Sequence, residues 1–356
     1  MGRLGRVQQR RQPGGSWHGD TAGLVYGDLA PAPGSDHART QICADQVRSL
    51  DLRLIEHRAR QCCGWKSTFA TFFTPEVPMV TVVFGARGNV GRHVVAGLLA
   101  SGERVRAVSR NPAAGFTPGL EVAAADLERP ETLPVALAGA GKVFLYAKPD
   151  GAEGFVKAAE SAGVRHVVLL SSVSVVSPGA EHSPVARLHR TVELAIERSD
   201  LDWTFIRPGM FATNTRSWWT ESIRAENVVR LPYPEAQTAP VHEKDMAALA
   251  VTALTEPGHS RQAYTVYGAE SLTLRRQAGH IGEATGRQIR VEVVSPEQAR
   301  TELGKTMPPV VAEAVLRQWT AGNGVPAPIS VIVAKITGRP AHTFAQWAAD
   351  HADDFR

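Results

Sequence analysis

The chain has 356 residues, 43% hydrophobic and 21% charged, with a net charge of +4. That balance describes a globular protein long enough for one large α/β domain or two smaller ones. No apolar run approaches the roughly 20 residues of a membrane helix, and no basic stripe with interleaved aromatics marks a nucleic-acid surface, so neither partner is expected.

Residues 1–76 differ from the rest. They hold ten Lys/Arg against seven Asp/Glu, so most of the net charge sits there. Gly, Pro, Arg and Gln dominate up to Gly34 without a sustained period, which reads as a disordered extension. A weak amphipathic helix is expected over 46–60. The arginine-rich start lacks the apolar stretch of a secretory signal, and Arg6 stands where myristoylation of Gly2 would need Ser or Thr. Met79 heads the first strand, and the natural start is expected at or near it. All three cysteines, Cys43, Cys62 and Cys63, precede that strand. The later chain thus lacks any means of forming a disulfide, which suits a reducing cytoplasm, and the cysteines lack zinc spacing.

From Val80 the pattern becomes regular. Strands are expected at 80–84, 103–109, 120–126, 142–146, 166–172 and 203–206. Helices are expected after Gly91 and at 130–138, 154–162 and 183–198. This alternation predicts a doubly wound parallel sheet of the Rossmann type, with its dinucleotide-binding domain over 77–215. Beyond Gly209 the pattern loosens, with helices expected around Trp218 and at 241–254, 274–285, 309–319 and 343–355. Strands are expected at 228–231, 263–267 and 288–294. These segments, 216–356, are expected to build a small C-terminal substrate lobe and to return elements to the sheet.

The chemistry centres on the first strand and the turn after it. Gly85, Gly88 and Gly91 follow a buried apolar run and open an amphipathic helix, the context in which such a glycine pattern carries meaning. Gly85 allows the tight turn, Gly88 a close backbone approach to a pyrophosphate, and Gly91 close packing of helix on strand. Asn89 and Val90 complete the amide cradle at the helix start, where the dipole favours anions. The second strand ends in Ser109-Arg110-Asn111 with no acid to hold a ribose 2′-OH. Arg110 is instead placed to meet a 2′-phosphate, with Arg87 adding to the clamp. NADP(H) is therefore expected over NAD(H).

These motifs, together with Asp126-Leu127, Trp203 to Gly209 (Trp-Thr-Phe-Ile-Arg-Pro-Gly) and Thr337 to Pro340 (Thr-Gly-Arg-Pro), resemble the NmrA-like group of atypical short-chain dehydrogenase/reductases over residues 79–356. That group includes NAD(P)H-dependent quinone and isoflavone reductases and redox sensors that bind cofactor without turnover. The resemblance implies that Asp126 lies near the adenine, although a simple turn role fits it equally. It also implies that Ala147 and Lys148 lie near the nicotinamide ribose.

The wider superfamily uses a Tyr and a Lys four apart on one helix face, so that the Lys lowers the Tyr pKa. Here the matching positions hold Val185 and His189, or Arg190 for the Lys if the register slips by one, and neither register recovers a Tyr. Alcohol oxidation by that route is not expected. Hydride transfer to a quinone-like or conjugated carbonyl acceptor, with water supplying the proton, remains open. So does a non-catalytic sensor acting through a protein partner, and, less favoured, a nucleotide-sugar epimerase or dehydratase. His189 is a candidate proton donor or ribose contact, Ser172 a candidate at the sheet's carboxyl edge, and Phe211, Trp218 and Trp219 candidate walls of an aromatic pocket. His242, Glu243 and Asp245 open a helix, where acids serve its N-terminus rather than a metal.

Overall fold

The computed structural model describes residues 79–112 and 115–356. The expected extension over 1–76, its helix and the cysteines lie outside the described residues. Strand and helix alternate through β1 (Val80–Phe84), α1 (Gly91–Ala100), β2 (Val105–Ser109), β3 (Glu121–Ala124), α2 (Leu133–Leu137), β4 (Ala140–Tyr146), α3 (Ala152–Ser161), β5 (His166–Leu170), α4 (Pro184–Glu197) and β6 (Asp202–Pro208). There follow α5 (Asn214–Glu226), β7 (Val228–Leu231), β8 (Gln237–Thr238), α6 (Glu243–Thr255), β9 (Gln262–Val266) and β10 (Leu272–Thr273). The chain ends in α7 (Leu274–Thr285), β11 (Arg290–Val293), α8 (Pro296–Gly304), α9 (Pro309–Ala321), α10 (Ile332–Thr337) and α11 (Phe344–Asp350).

Seven strands form one sheet in the order β3-β2-β1-β4-β5-β6-β9, and every neighbouring pair is parallel. The order reverses between β1 and β4, and the crevice at such a switch point is where doubly wound sheets bind ligands. All five residues of β1 are buried, as a strand covered on both faces requires. Val82 and Phe84 face a core shared with Leu133, Phe155 and Ile196 of α2, α3 and α4. Val83 points the other way, into a core with Val94 and Leu98 of α1, Leu249 of α6 and Val333 of α10.

The chain beyond β6 divides its elements. Strand β9 joins the main sheet, and α6 and α10 cover it. The rest gathers a third core around Trp219, Ile281, Trp319, Trp347 and Phe355. Two small sheets, β7 with β11 and β8 with β10, lie in this part. Helices α8 and α10 were not expected from the sequence. Helix α8 is announced by a Ser295/Gln298 capping box, but its buried stripe is only Ala299 and Leu303.

The C-terminal helix is fastened by charge as well as by apolar contact. Glu243, 1% exposed, accepts hydrogen bonds from Trp347 Nε1 at 3.0 Å and His351 Nε2 at 2.6 Å. His242 caps α6 by accepting the Lys244 amide and meets Asp350 at 3.2 Å, while His342 meets Asp245 at 2.5 Å. Burial pushes the Glu243 carboxyl up, but the His242 and His351 hydrogen bonds outweigh it and hold the group below the usual carboxylate range. Burial likewise works against the His351 cation, and Glu243 and Asp354 outweigh it, so its pKa is raised above 6.5. A raised histidine pKa gives stability that is complete below 6.5 and lost as pH climbs through the raised value. His351→Leu is therefore expected to cost roughly 3–5 kcal/mol near pH 6, as when one partner of a buried pair is removed. Denaturant titrations across pH should show the gap from the parent protein narrowing on the alkaline side.

Candidate dinucleotide-binding site

The turn from β1 to α1 is held by its glycines. Gly85 has φ +66°, a conformation that side chains disfavour, and its carbonyl accepts the Gly88 amide at 2.8 Å. At Gly91 a Cβ would lie 2.2 Å from the Gly85 oxygen and 2.8 Å from its carbonyl carbon. Only glycine lets α1 start this close to the strand. Helix α1 has no side-chain cap and no acid in its first turn, so its positive end is left for an external anion.

Two cavities meet along this turn. One, of about 430 Å³, is walled by Arg87, Ser109, Arg110 and Asn111. The other, of about 300 Å³, is walled by Asn89, Val90, Gly91, Phe144, Leu170 and Phe211. Phe84, Gly85, Gly88 and Tyr146 belong to both. One end is thus polar and cationic and the other largely apolar, with a row of backbone amides between. These residues fit a dinucleotide: Arg87 and Arg110 would face its ribose end, the amides from Asn89 to Gly91 its pyrophosphate, and the apolar end its nicotinamide. A cavity of about 500 Å³ between α1 and α6, lined by His93, Gly97 and Val251, shares none of these walls.

Other candidates are placed differently. Asp126 lines neither cavity, although Ala125 and Leu127 line the first. Its carboxylate accepts the Glu128 amide at 3.1 Å, which is the turn role. Ala147 and Lys148 follow β4 outside both sets of walls, and Lys148 pairs with Glu128 at 3.1 Å. The fifth strand ends at Leu170 rather than Ser172, because Ser172 caps a short 3-10 turn by accepting the Ser174 amide and hydroxyl. Trp218 packs edge-on against Trp319 with ring centres 5.3 Å apart, and Trp219 is 2% exposed. Both serve the third core, and of the three aromatics Phe211 is the one that lines either of these two cavities. His189 lines neither cavity. Its Nδ1 is buried with no partner among the described residues, and burial lowers its pKa against the pull of Glu193.

Two residues went unread as site residues in the sequence. Tyr146 lies between the cavities; the signal was an aromatic ending the strand that pairs with β1. Glu193 is 0% exposed and accepts two bonds from Arg207 at 2.8 and 2.9 Å. It also accepts from Arg190 at 3.1 Å and from Ser171 at 2.7 Å. This network joins the ends of β5 and β6 to α4, beneath the segment where Ser172 and His189 sit. Its signal was a carboxylate on the apolar face of α4 together with the arginine before Pro208.

A parallel sheet with a glycine turn at its switch point defines a nucleotide-binding α/β protein. The model of a family described as NAD(P)H-binding matches residues 85–257. Over 284 residues the chain is 41% identical to a (4-alkanoyl-5-oxo-2,5-dihydrofuran-3-yl)methyl phosphate reductase of Streptomyces griseus, covering 77% of this chain and 98% of that protein. Over 286 residues it is 34% identical to an NAD(P)H azoreductase of Xenophilus azovorans, with 77% and 98% covered. Among solved structures, the NADP(H) complex of Citrobacter triphenylmethane reductase shares the fold with a TM-score of 0.64, at 22% identity over 77% of this chain and 99% of that one. The chain belongs to the NAD(P)H-binding family of NmrA-like atypical short-chain dehydrogenase/reductases.

Gly91→Ala is expected to raise the dissociation constant for NADPH at least about tenfold in calorimetry, a loss of roughly 1.4 kcal/mol. The overpacked turn should also destabilise the fold by about 1–3 kcal/mol in denaturant unfolding.

Proposed function

We propose that the chain is an NADPH-dependent reductase that passes hydride to a small, flat, conjugated acceptor, a quinone or an α,β-unsaturated carbonyl. The observation that carries this reading is the polarity of the paired cavities: Arg110 and Arg87 at one end, Leu170 and Phe211 at the other. The bound nicotinamide supplies the hydride. The chain's part is to bind and orient. Backbone amides hold the pyrophosphate, Arg110 grips the 2′-phosphate by a charge-assisted fork, Phe211 stacks on the acceptor, and Leu170 helps it exclude water. The names of the curated relatives support a conjugated or dye-like acceptor, since they include a dihydrofuranone phosphate reductase and an azoreductase.

Among the residues lining the apolar cavity the one acidic group is the Tyr146 phenol, and burial raises its pKa; on our reading the proton comes from water, which suits acceptors whose reduced oxygen is readily protonated. Val185 and His189 replace the Tyr and Lys that alcohol chemistry would need. We keep His189 as a second proton carrier on one observation, its unpartnered buried Nδ1. The same replacements favour one rival, a regulator that binds NADP(H) and reports it to a protein partner. The partner required under the leading reading is a small molecule, and the compartment we infer is the cytoplasm.

NADPH oxidation followed at its absorbance band, across quinones, enones and azo dyes, decides between the two. Turnover with any acceptor supports the reductase, and tight NADPH binding with none supports the regulator. Arg110→Asp should lower the NADPH/NADH affinity ratio by roughly tenfold to a hundredfold, the worth of one to two charge-assisted contacts. An unchanged ratio removes Arg110 from cofactor choice.

A further inference from the structure

Strands β1 and β4 are neighbours, with Val83 opposite Phe144, so Tyr146 comes level with Gly85 two residues further along each strand. There the ring lies directly on the turn. A Cβ added to Gly85 would meet the Tyr146 ring at 2.9 Å. The absent side chain at Gly85 therefore serves two ends, the positive φ of the turn and the seat of this ring. Tyr146 is 36% exposed, a large share for an aromatic that ends an interior strand. It is a wall of both cavities, and Arg110 lies near enough to act on the phenol, whose ionisation burial opposes.

The two cavities correspond to the two nucleotide halves of the ligand, and they touch at the Gly85–Gly88 turn and this ring. We propose that Tyr146 is a positioning residue for the dinucleotide, a shared aromatic wall against which the adenosine-phosphate half and the nicotinamide half are both packed. This rests on the cofactor reading above. The physical basis is apolar contact: a ring of this size that changes from exposed to covered on binding contributes substantially to affinity, and the flat face tolerates sugar or base alike. The contribution is made by the ring rather than by the hydroxyl, so phenylalanine should replace it.

The test uses the full chain and two probes, NADPH and adenosine 2′,5′-bisphosphate, which fills the arginine-lined end alone. Dissociation constants are measured by calorimetry for the parent protein, Tyr146→Ala and Tyr146→Phe, with thermal unfolding of each as the check on folding. Tyr146→Ala should weaken NADPH about tenfold or more and the half-ligand about threefold, while Tyr146→Phe stays within about twofold of the parent for both. An unchanged or tighter NADPH constant in Tyr146→Ala overturns the proposal and makes the ring an obstruction or a bystander. Equal losses for the two probes, or none for the half-ligand, overturn the shared wall in favour of one half alone. A Tyr146→Phe loss equal to that of Tyr146→Ala overturns the role of the ring. Should the parent protein itself fail to bind NADPH, it is the cofactor reading that falls, whatever Tyr146 does.

Discussion

The turn after β1 depends on a contact that a side chain would forbid. Helix α1 starts against the carbonyl of Gly85 because Gly91 has no Cβ, and this approach aims the first-turn amides at the crevice. The same helix repeats the device one face round, where Gly97 lies against Val251; a Cβ there would sit 2.8 Å from a Val251 methyl. Helix α1 is thus fitted between β1 and α6 by two missing side chains, and an extra methylene at either contact would have to displace packed structure. The geometry of the turn is a consequence of packing.

Two buried carboxylates then tie the rest of the chain to this unit. Glu193 gathers Ser171, Arg190 and Arg207, and so holds the carboxyl ends of β5 and β6 to α4. Glu243 gathers Trp347 and His351 from the C-terminal segment, with Arg92 of α1 3.7 Å away. Taking such charges out of water is costly, and their pairs recover that cost only with good geometry. Arg92 follows Gly91 directly, so the end of the chain and the start of the phosphate-binding helix meet at one carboxylate.

The parallel sheet could be read from the sequence because each strand is a short apolar run and each helix has one apolar face, and these periods are local. The glycine turn was legible for the same reason, as its three glycines, the strand before them and the helix after them are contiguous. Asp126, Ser172 and Trp218 were harder. Each has a residue type that suits both a site and a scaffold, and only the fold shows that the first closes a turn, the second caps one and the third packs on Trp319. Tyr146 and Glu193 escaped because their roles depend on neighbours distant in sequence: Gly85 for the one, Ser171 and Arg207 for the other. A strand pairing must be known before either becomes visible.

That division also separates the parts of the function. On the proposed reading, binding of the dinucleotide depends on backbone amides, a positive φ and a terminal guanidinium, which any member of the fold can retain while its reaction changes. On the same reading, the acceptor is met by side chains from elsewhere. Phe211 reaches the apolar cavity from the segment after β6, where its backbone bridges Val241 just before α6, and Leu170 reaches it from the end of β5. Helix α4 carries neither Tyr nor Lys, and the ionisable wall of the apolar cavity is Tyr146. Selection among acceptors then falls to the shape and hydrophobicity of that mouth. A pocket of this kind discriminates weakly between molecules differing by a methylene and cannot strongly reject an isostere. The physical expectation for such a site is tolerance, with flat conjugated acceptors sorted by fit against Phe211 and Leu170 more than by hydrogen-bond pattern.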